Sequence, residues 1–87
     1  MSQIKWEKKA QEKFKEAVSK MPLFHRRIAE KLVKESAEAI VREKNRQEVT
    51  EEDVVRAFFK EVPPAFKGMM VRLLADAGIE YKKYISE

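Results

Sequence analysis

The chain has no cysteine, one histidine and only two glycines among its 87 residues. The lack of cysteine excludes disulfides, thiolate zinc sites, cysteine-ligated iron–sulfur clusters and a cysteine nucleophile. Two glycines are too few for a glycine-rich phosphate-binding loop. No apolar run approaches the roughly 18 residues of a membrane span, and no signal-peptide segment follows Met1. We therefore expect a cytoplasmic protein with neither a cofactor nor a membrane partner.

Charge is plentiful but unevenly distributed along the chain. Residues 1–46 carry 13 Lys and Arg against 7 Glu, whereas residues 47–87 carry 6 against 8 Asp and Glu. The first half is therefore basic and the second slightly acidic. Such a distribution is compatible with an acidic partner and equally with a solvated helical surface.

Apolar residues recur at helical spacing through most of the chain, which predicts an all-α fold. We expect a first helix over residues 7–20, opened by Trp6, and a long second helix over residues 23–46. Five opposite-charge pairs four residues apart should stabilise the exposed face of the second helix. The buried stripe predicted for that helix comprises Phe24, Ile28, Ala29, Leu32, Val33, Ala37, Ile40 and Val41.

The start of the third helix is the clearest local signal. Thr50 is the predicted N-cap, Asp53 completes a capping box, and Val49 and Val54 occupy the hydrophobic-staple positions. Pro63 and the proline after it should end this helix.

A fourth helix should begin near Pro64 and end at Gly78, with Ile79 touching Leu74. A short last turn is expected over residues 80–86. We therefore predict one compact four- to five-helix domain spanning residues 1–87, built around the long second helix.

Few residues suggest a chemical site. His25 has no visible nucleophile or orienting carboxylate, so we expect an ordinary surface role. Phe66, Met69 and Met70 fall at core spacing, with an adaptable binding surface as the alternative. Five lysines form a candidate basic patch, either contacting phosphates or simply facing water: Lys5, Lys8, Lys9, Lys13 and Lys15.

One family resemblance rests on Trp6, Ala10, Pro22-Leu23-Phe24-His25-Arg26, Ala37, Val49-Thr50, Glu52 and Val54. Residues 4–58 resemble the small C-terminal domain of the B subunit of light-independent protochlorophyllide reductase. Leu23 departs from the family's phenylalanine, and Lys34 stands where the family has glutamate. The resemblance implies a helical accessory module associated with tetrapyrrole enzymes or other redox complexes.

A second resemblance is to the histone fold. A short helix, a long helix and a third helix opened by Val49-Thr50 are typical of that fold, which implies a dimer that holds DNA. Glu48, just before the third helix, would repel phosphates.

We therefore predict a non-catalytic binding or assembly module with a protein partner, and a histone-like dimeric DNA-binding protein as the alternative. The candidate partner surface is the turn at Pro22, with Pro22, His25, Arg26 and Arg27.

Overall fold

The computed structural model describes residues 3–85, and most of them lie in four helices, which confirms the all-α prediction. The helices are α1 (Lys8–Ser19), α2 (Leu23–Glu43), α3 (Glu51–Glu61) and α4 (Lys67–Asp76). Short 3₁₀ turns cover Pro64–Phe66 and Tyr81–Lys83, and two short strands, β1 (Lys5–Trp6) and β2 (Glu48–Val49), complete the fold.

The two strands, which the sequence pattern did not predict, pair in parallel with Trp6 opposite Val49. Lys5 donates its backbone N–H to the Gln47 carbonyl at 2.8 Å, and Glu7 donates to the Val49 carbonyl at 2.9 Å. Trp6 therefore belongs to a strand, and the prediction that it opens the first helix was wrong. A two-residue strand is too short to show the alternation by which strands are recognised in a sequence.

All four helices contribute to one core. The rings of Phe14 and Phe58 lie 6.1 Å apart, centroid to centroid, between α1 and α3. The other buried apolar side chains of the helices are Ala10, Ala17, Val18, Val33, Ala37, Val41, Val54, Val55, Ala57, Met70 and Leu74.

The start of α3 has the predicted capping chemistry. The backbone N–H and the hydroxyl of Thr50 both donate to Oδ2 of Asp53, at 2.8 and 3.0 Å. Oδ1 of Asp53 accepts a hydrogen bond from the Arg46 guanidinium. Burial alone would raise the pKa of this carboxyl, but the bonds from Arg46 and Thr50 hold the pKa of Asp53 below its usual value.

Helix α2 ends three residues before its predicted end. Asn45 adopts a left-handed conformation with φ of 56°, and the Arg46 N–H reaches back to the Val41 carbonyl at 2.9 Å. Asparagine is one of the few residues that tolerates this region, so it terminates the helix as glycine often does.

The C-terminal third packs onto the rest of the protein. Gly78 has φ of 79°, and the Ile79 N–H donates to the Leu74 carbonyl at 2.9 Å, as the predicted C-cap requires. Lys13 of α1 donates to the Ala77 carbonyl at 3.2 Å, and this ties α1 to the end of α4.

The last described residues contact the start of α3. The Tyr84 hydroxyl donates to Oε2 of Glu51 at 3.0 Å, and Arg56 donates to the Tyr84 carbonyl at 3.2 Å. Burial, together with the Glu51 carboxylate, raises the pKa of Tyr84 above its usual value. Ser86, the last residue of the predicted final turn, lies outside the described residues.

The N-terminal half of α2 is where the predicted core fails. With 21 residues, α2 is about 32 Å long, whereas α3, with 11, is about 16 Å long. The buried residues of α2 are Val33, Ser36, Ala37 and Val41, so its core contacts lie in its C-terminal part. Phe24, Ile28 and Leu32, predicted to be buried, are therefore exposed.

Candidate protein-binding groove

The exposed part of α2 forms one wall of an elongated depression, which we call the apolar groove. Its α2 wall is lined by Ile28, Ala29, Leu32 and Val33, and the turn before α2 closes one end with Met21, Pro22 and His25. The groove encloses about 270 Å³. That volume is close to the lower end of the roughly 300–1,000 Å³ of most small-molecule sites.

The opposite wall comes from the end of α3 and the start of α4. Val62 and Pro63 follow α3, and Phe66 and Met69 flank the first turn of α4. Glu61 is the only carboxylate that lines the groove in the described part of the chain. The groove surface is therefore almost entirely apolar.

The prediction that Phe66, Met69 and Met70 form core was correct only for Met70. Met70 is buried with Leu74, whereas Phe66 and Met69 remain about half exposed. Consecutive residues on a helix point about 100° apart, so Met69 turns towards the groove when Met70 turns towards the core. The alternative reading, an adaptable apolar binding surface, applies to Phe66 and Met69.

Among residues 3–85, six large apolar side chains are exposed, and four of them line the groove. Their exposed fractions run from 44% for Leu32 to 77% for Leu23. The full set in the described chain is Leu23, Phe24, Ile28, Leu32, Phe66 and Met69. Ile28, Leu32, Phe66 and Met69 line the groove together, and contiguous exposed apolar surface of this kind often marks an interaction site.

The structure divides the candidate partner surface. Pro22 and His25 line the groove, and the His25 ring lies 4.8 Å from the ring of Phe24. Arg26 points instead towards the end of α1, where its guanidinium donates to the carbonyls of Ser19 and Met21 at 2.8 and 3.0 Å. It therefore has a structural role in the turn.

Few of the expected ion pairs on α2 form. Of the five predicted pairs, only Glu38 and Arg42 lie within ion-pair distance, at 3.8 Å, among residues 3–85. Arg27 and Lys31 are exposed with no carboxylate within 4 Å in the part of the chain that the structure describes. Their charges are therefore available to a partner.

The five lysines of the candidate basic patch do not form one surface. Lys15 borders a cleft beside α2, whereas Lys13 reaches the end of α4 on the other flank of α1. Lys5 lies in β1, and Lys8 and Lys9 open α1. The arrangement resembles a solvated surface more than a continuous phosphate-binding track.

A second depression, of about 460 Å³, lies between β1, α1 and α2. At its floor the rings of Trp6 and Phe14 are 5.1 Å apart, and the Trp6 indole N–H donates to Oε2 of Glu38 at 2.9 Å. Lys15 and Lys34 are among the charges of both signs that line it. The hydrogen bond between Trp6 and Glu38 joins β1 to α2. These two residues of the cleft therefore have a structural role.

The described residues contain no group of three or more His, Asp or Glu side chains positioned to hold a metal ion. Within the same range, no helix is both long and apolar enough to cross a membrane.

Comparison with known protein families, with curated proteins and with solved structures found no match for this chain.

Proposed function

We propose that this protein is a non-catalytic binding module that holds another protein through the apolar groove. The supporting observation is that large apolar side chains are exposed around one groove, when a chain of 87 residues has few to spare from its core. Contiguous apolar surface of this kind marks protein-interaction sites.

Energetics favour a partner over an open groove. Fully burying a leucine, isoleucine, methionine or phenylalanine side chain stabilises by about 1.5–3 kcal/mol. Ile28, Phe66 and Met69 give up much of that stabilisation in the isolated chain because they remain in water. A partner that covers them recovers it as binding energy, and the aromatic ring of Phe66 suits the role of an anchor.

The family resemblance supports an accessory role. Residues 4–58 resemble a C-terminal domain of a reductase subunit whose larger domains hold the cofactor and substrate. We extend the proposal to a partner within a tetrapyrrole or other redox enzyme complex. Pro22 and His25 belong to the motif that carries the resemblance, and both line the groove.

A histone-like, dimeric DNA-binding protein is the second candidate. The succession of a short α1, a long α2 and a capped α3 supports it. The separation of Lys13 from Lys15 and the exposed Glu48 beside the start of α3 favour the protein-binding function instead.

The test compares affinity purifications from the native host at native abundance. Three tagged chains are compared: the wild type, the variant Ile28→Asp and the control variant Lys44→Asp. Lys44 is exposed at the C-cap of α2, away from the groove. We expect wild type and control to retain a partner in near-stoichiometric amount that Ile28→Asp loses. The same partner, purified, should rebind the purified wild-type chain. Equal recovery by all three chains would contradict the proposal.

A further inference from the structure

The segments that build the groove have a net positive charge. Residues 20–32 and 60–72 contain seven Lys and Arg against two Glu, a net charge of +5, whereas the whole chain has +4. The remainder of the molecule is therefore slightly acidic. An apolar groove with a basic surround favours a partner that combines apolar and acidic side chains.

Exposed cations lie on both of the helices, α2 and α4, that contribute residues to the groove. Arg27 and Lys31 lie on the exposed side of α2, and Arg72 lies one turn after Met69 on α4. Within residues 3–85, none of the three has a carboxylate within 4 Å. Glu30, Glu35 and Glu61 are the carboxylates in or next to these two segments, and the seven Lys and Arg of the segments outnumber them.

The shape and chemistry of the groove favour a helical occupant. From Pro22 to Leu32 the α2 wall is about 16 Å long, enough for roughly three turns of a helix lying alongside it. The walls are side chains of helices and offer a bound strand almost no polar groups. A helix satisfies its own backbone hydrogen bonds, whereas a strand would leave its backbone polar groups unpaired.

On the basis of the proposed function, we propose that the groove binds an amphipathic helix of a partner protein whose apolar face is flanked by Asp and Glu. The apolar face packs against Ile28, Leu32 and Met69. The flanking carboxylates pair with Arg27 and Lys31 on one side and Arg72 on the other.

The test uses two synthetic peptides of about 18 residues, long enough to form helix on binding. They share one apolar face and differ only in having Glu or Lys at the flanking positions. Affinity is measured by calorimetry, and the site is mapped by NMR shifts of the methyl groups of Ile28, Leu32 and Met69. The acidic peptide should bind at this site at least about 10-fold more tightly at low salt, with a preference that salt weakens.

Charge reversal provides the matched comparison. Arg27→Glu combined with Lys31→Glu should abolish or invert the preference, whereas Lys44→Glu should leave it unchanged. Equal binding of both peptides in the groove, or tighter binding of the Lys peptide, would overturn the charge inference and leave the proposed function standing.

Two further outcomes would also overturn the inference. The first is the absence of groove shifts with either peptide at about 1 mM, the weak limit of specific association. The second is binding to phosphatidylserine vesicles, lost in Phe24→Ser, without peptide binding, which would assign the patch to a membrane surface. The affinity purification decides the proposed function separately in both cases.

Discussion

The guanidinium of Arg46 donates a hydrogen bond to Oδ1 of the buried Asp53 carboxylate, and Oδ2 of the same carboxylate accepts two hydrogen bonds from Thr50. This arrangement joins the residues that follow α2 to the first turn of α3. The side chain of Asp53 is 1% exposed and that of Arg46 is 39% exposed. The interaction is thus buried at the carboxylate and partly screened at the guanidinium.

Asp53→Asn should destabilise the protein by about 1–2 kcal/mol at pH 7, because it removes the charge from a buried hydrogen-bonded group. For a domain of this size that corresponds to a fall in Tm of about 4–16 °C. Thermal melts followed by circular dichroism measure it. Glu52→Gln, which breaks only the exposed pair with Arg56, is the control and should cost less than about 1 kcal/mol.

The pH dependence has a definite sign. Because the folded state lowers the pKa of Asp53, its stabilising contribution is present above the unfolded pKa of 3.8 and is lost as pH falls through the folded pKa. The difference in stability between wild type and Asp53→Asn should therefore shrink below about pH 4, near the usual Asp pKa. A difference that stays constant from pH 7 to pH 2 would contradict this account.

Gly78→Val should lower stability by at least about 1 kcal/mol, because a β-branched residue resists a φ of 79°. Lys13 Nζ also lies 2.5 Å from the position of the new Cβ and would have to move. Gly68→Val is the matched control, since no atom lies within 4 Å of a Cβ there. Urea unfolding compares the two. Equal midpoints would show that the end of α4 does not depend on this cap.

Truncation after Val62 extends the same argument to the whole C-terminal third. It removes Met70, Leu74 and Ile79, all buried in the core, each of which stabilises by about 1.5–3 kcal/mol. A domain with about 5–10 kcal/mol of net stability should then fail to fold cooperatively. A truncated chain with a sharp, unshifted melt would contradict the packing described here.

The cap at Thr50 and the glycine stop at Gly78 were predictable because each depends on chemistry within a few residues. The groove was not predictable in the same way. Ile28 and Val33 fall on one periodic stripe, and the sequence does not reveal that burial on α2 begins only at Val33. Likewise, helical spacing places Met69 and Met70 equally well in the core. Only the orientation of α4 separates them.

DNA binding should be weak. Because the five lysines are distributed over both flanks of α1, duplex DNA should bind no more tightly than the ~10⁻⁴–10⁻⁶ M of non-specific binders near physiological salt. Mobility shifts titrated with salt, together with sedimentation, measure affinity and oligomeric state. A dimer with sub-micromolar affinity under those conditions would favour the histone-like function over the one proposed.

The claim that the groove is the binding site for a partner is tested most directly by photo-crosslinking in the native host. A photoreactive amino acid replaces Met69 in the groove or, as control, the exposed Glu16 on α1. The groove position should give one discrete protein adduct that Ile28→Asp in the same chain reduces at least about tenfold, a loss of roughly 1.4 kcal/mol in binding. The control should give no such adduct. Two results would contradict the account. One is the same adduct from the photoreactive residue at position 16 as at position 69, and the other is an adduct whose yield does not change with Ile28→Asp.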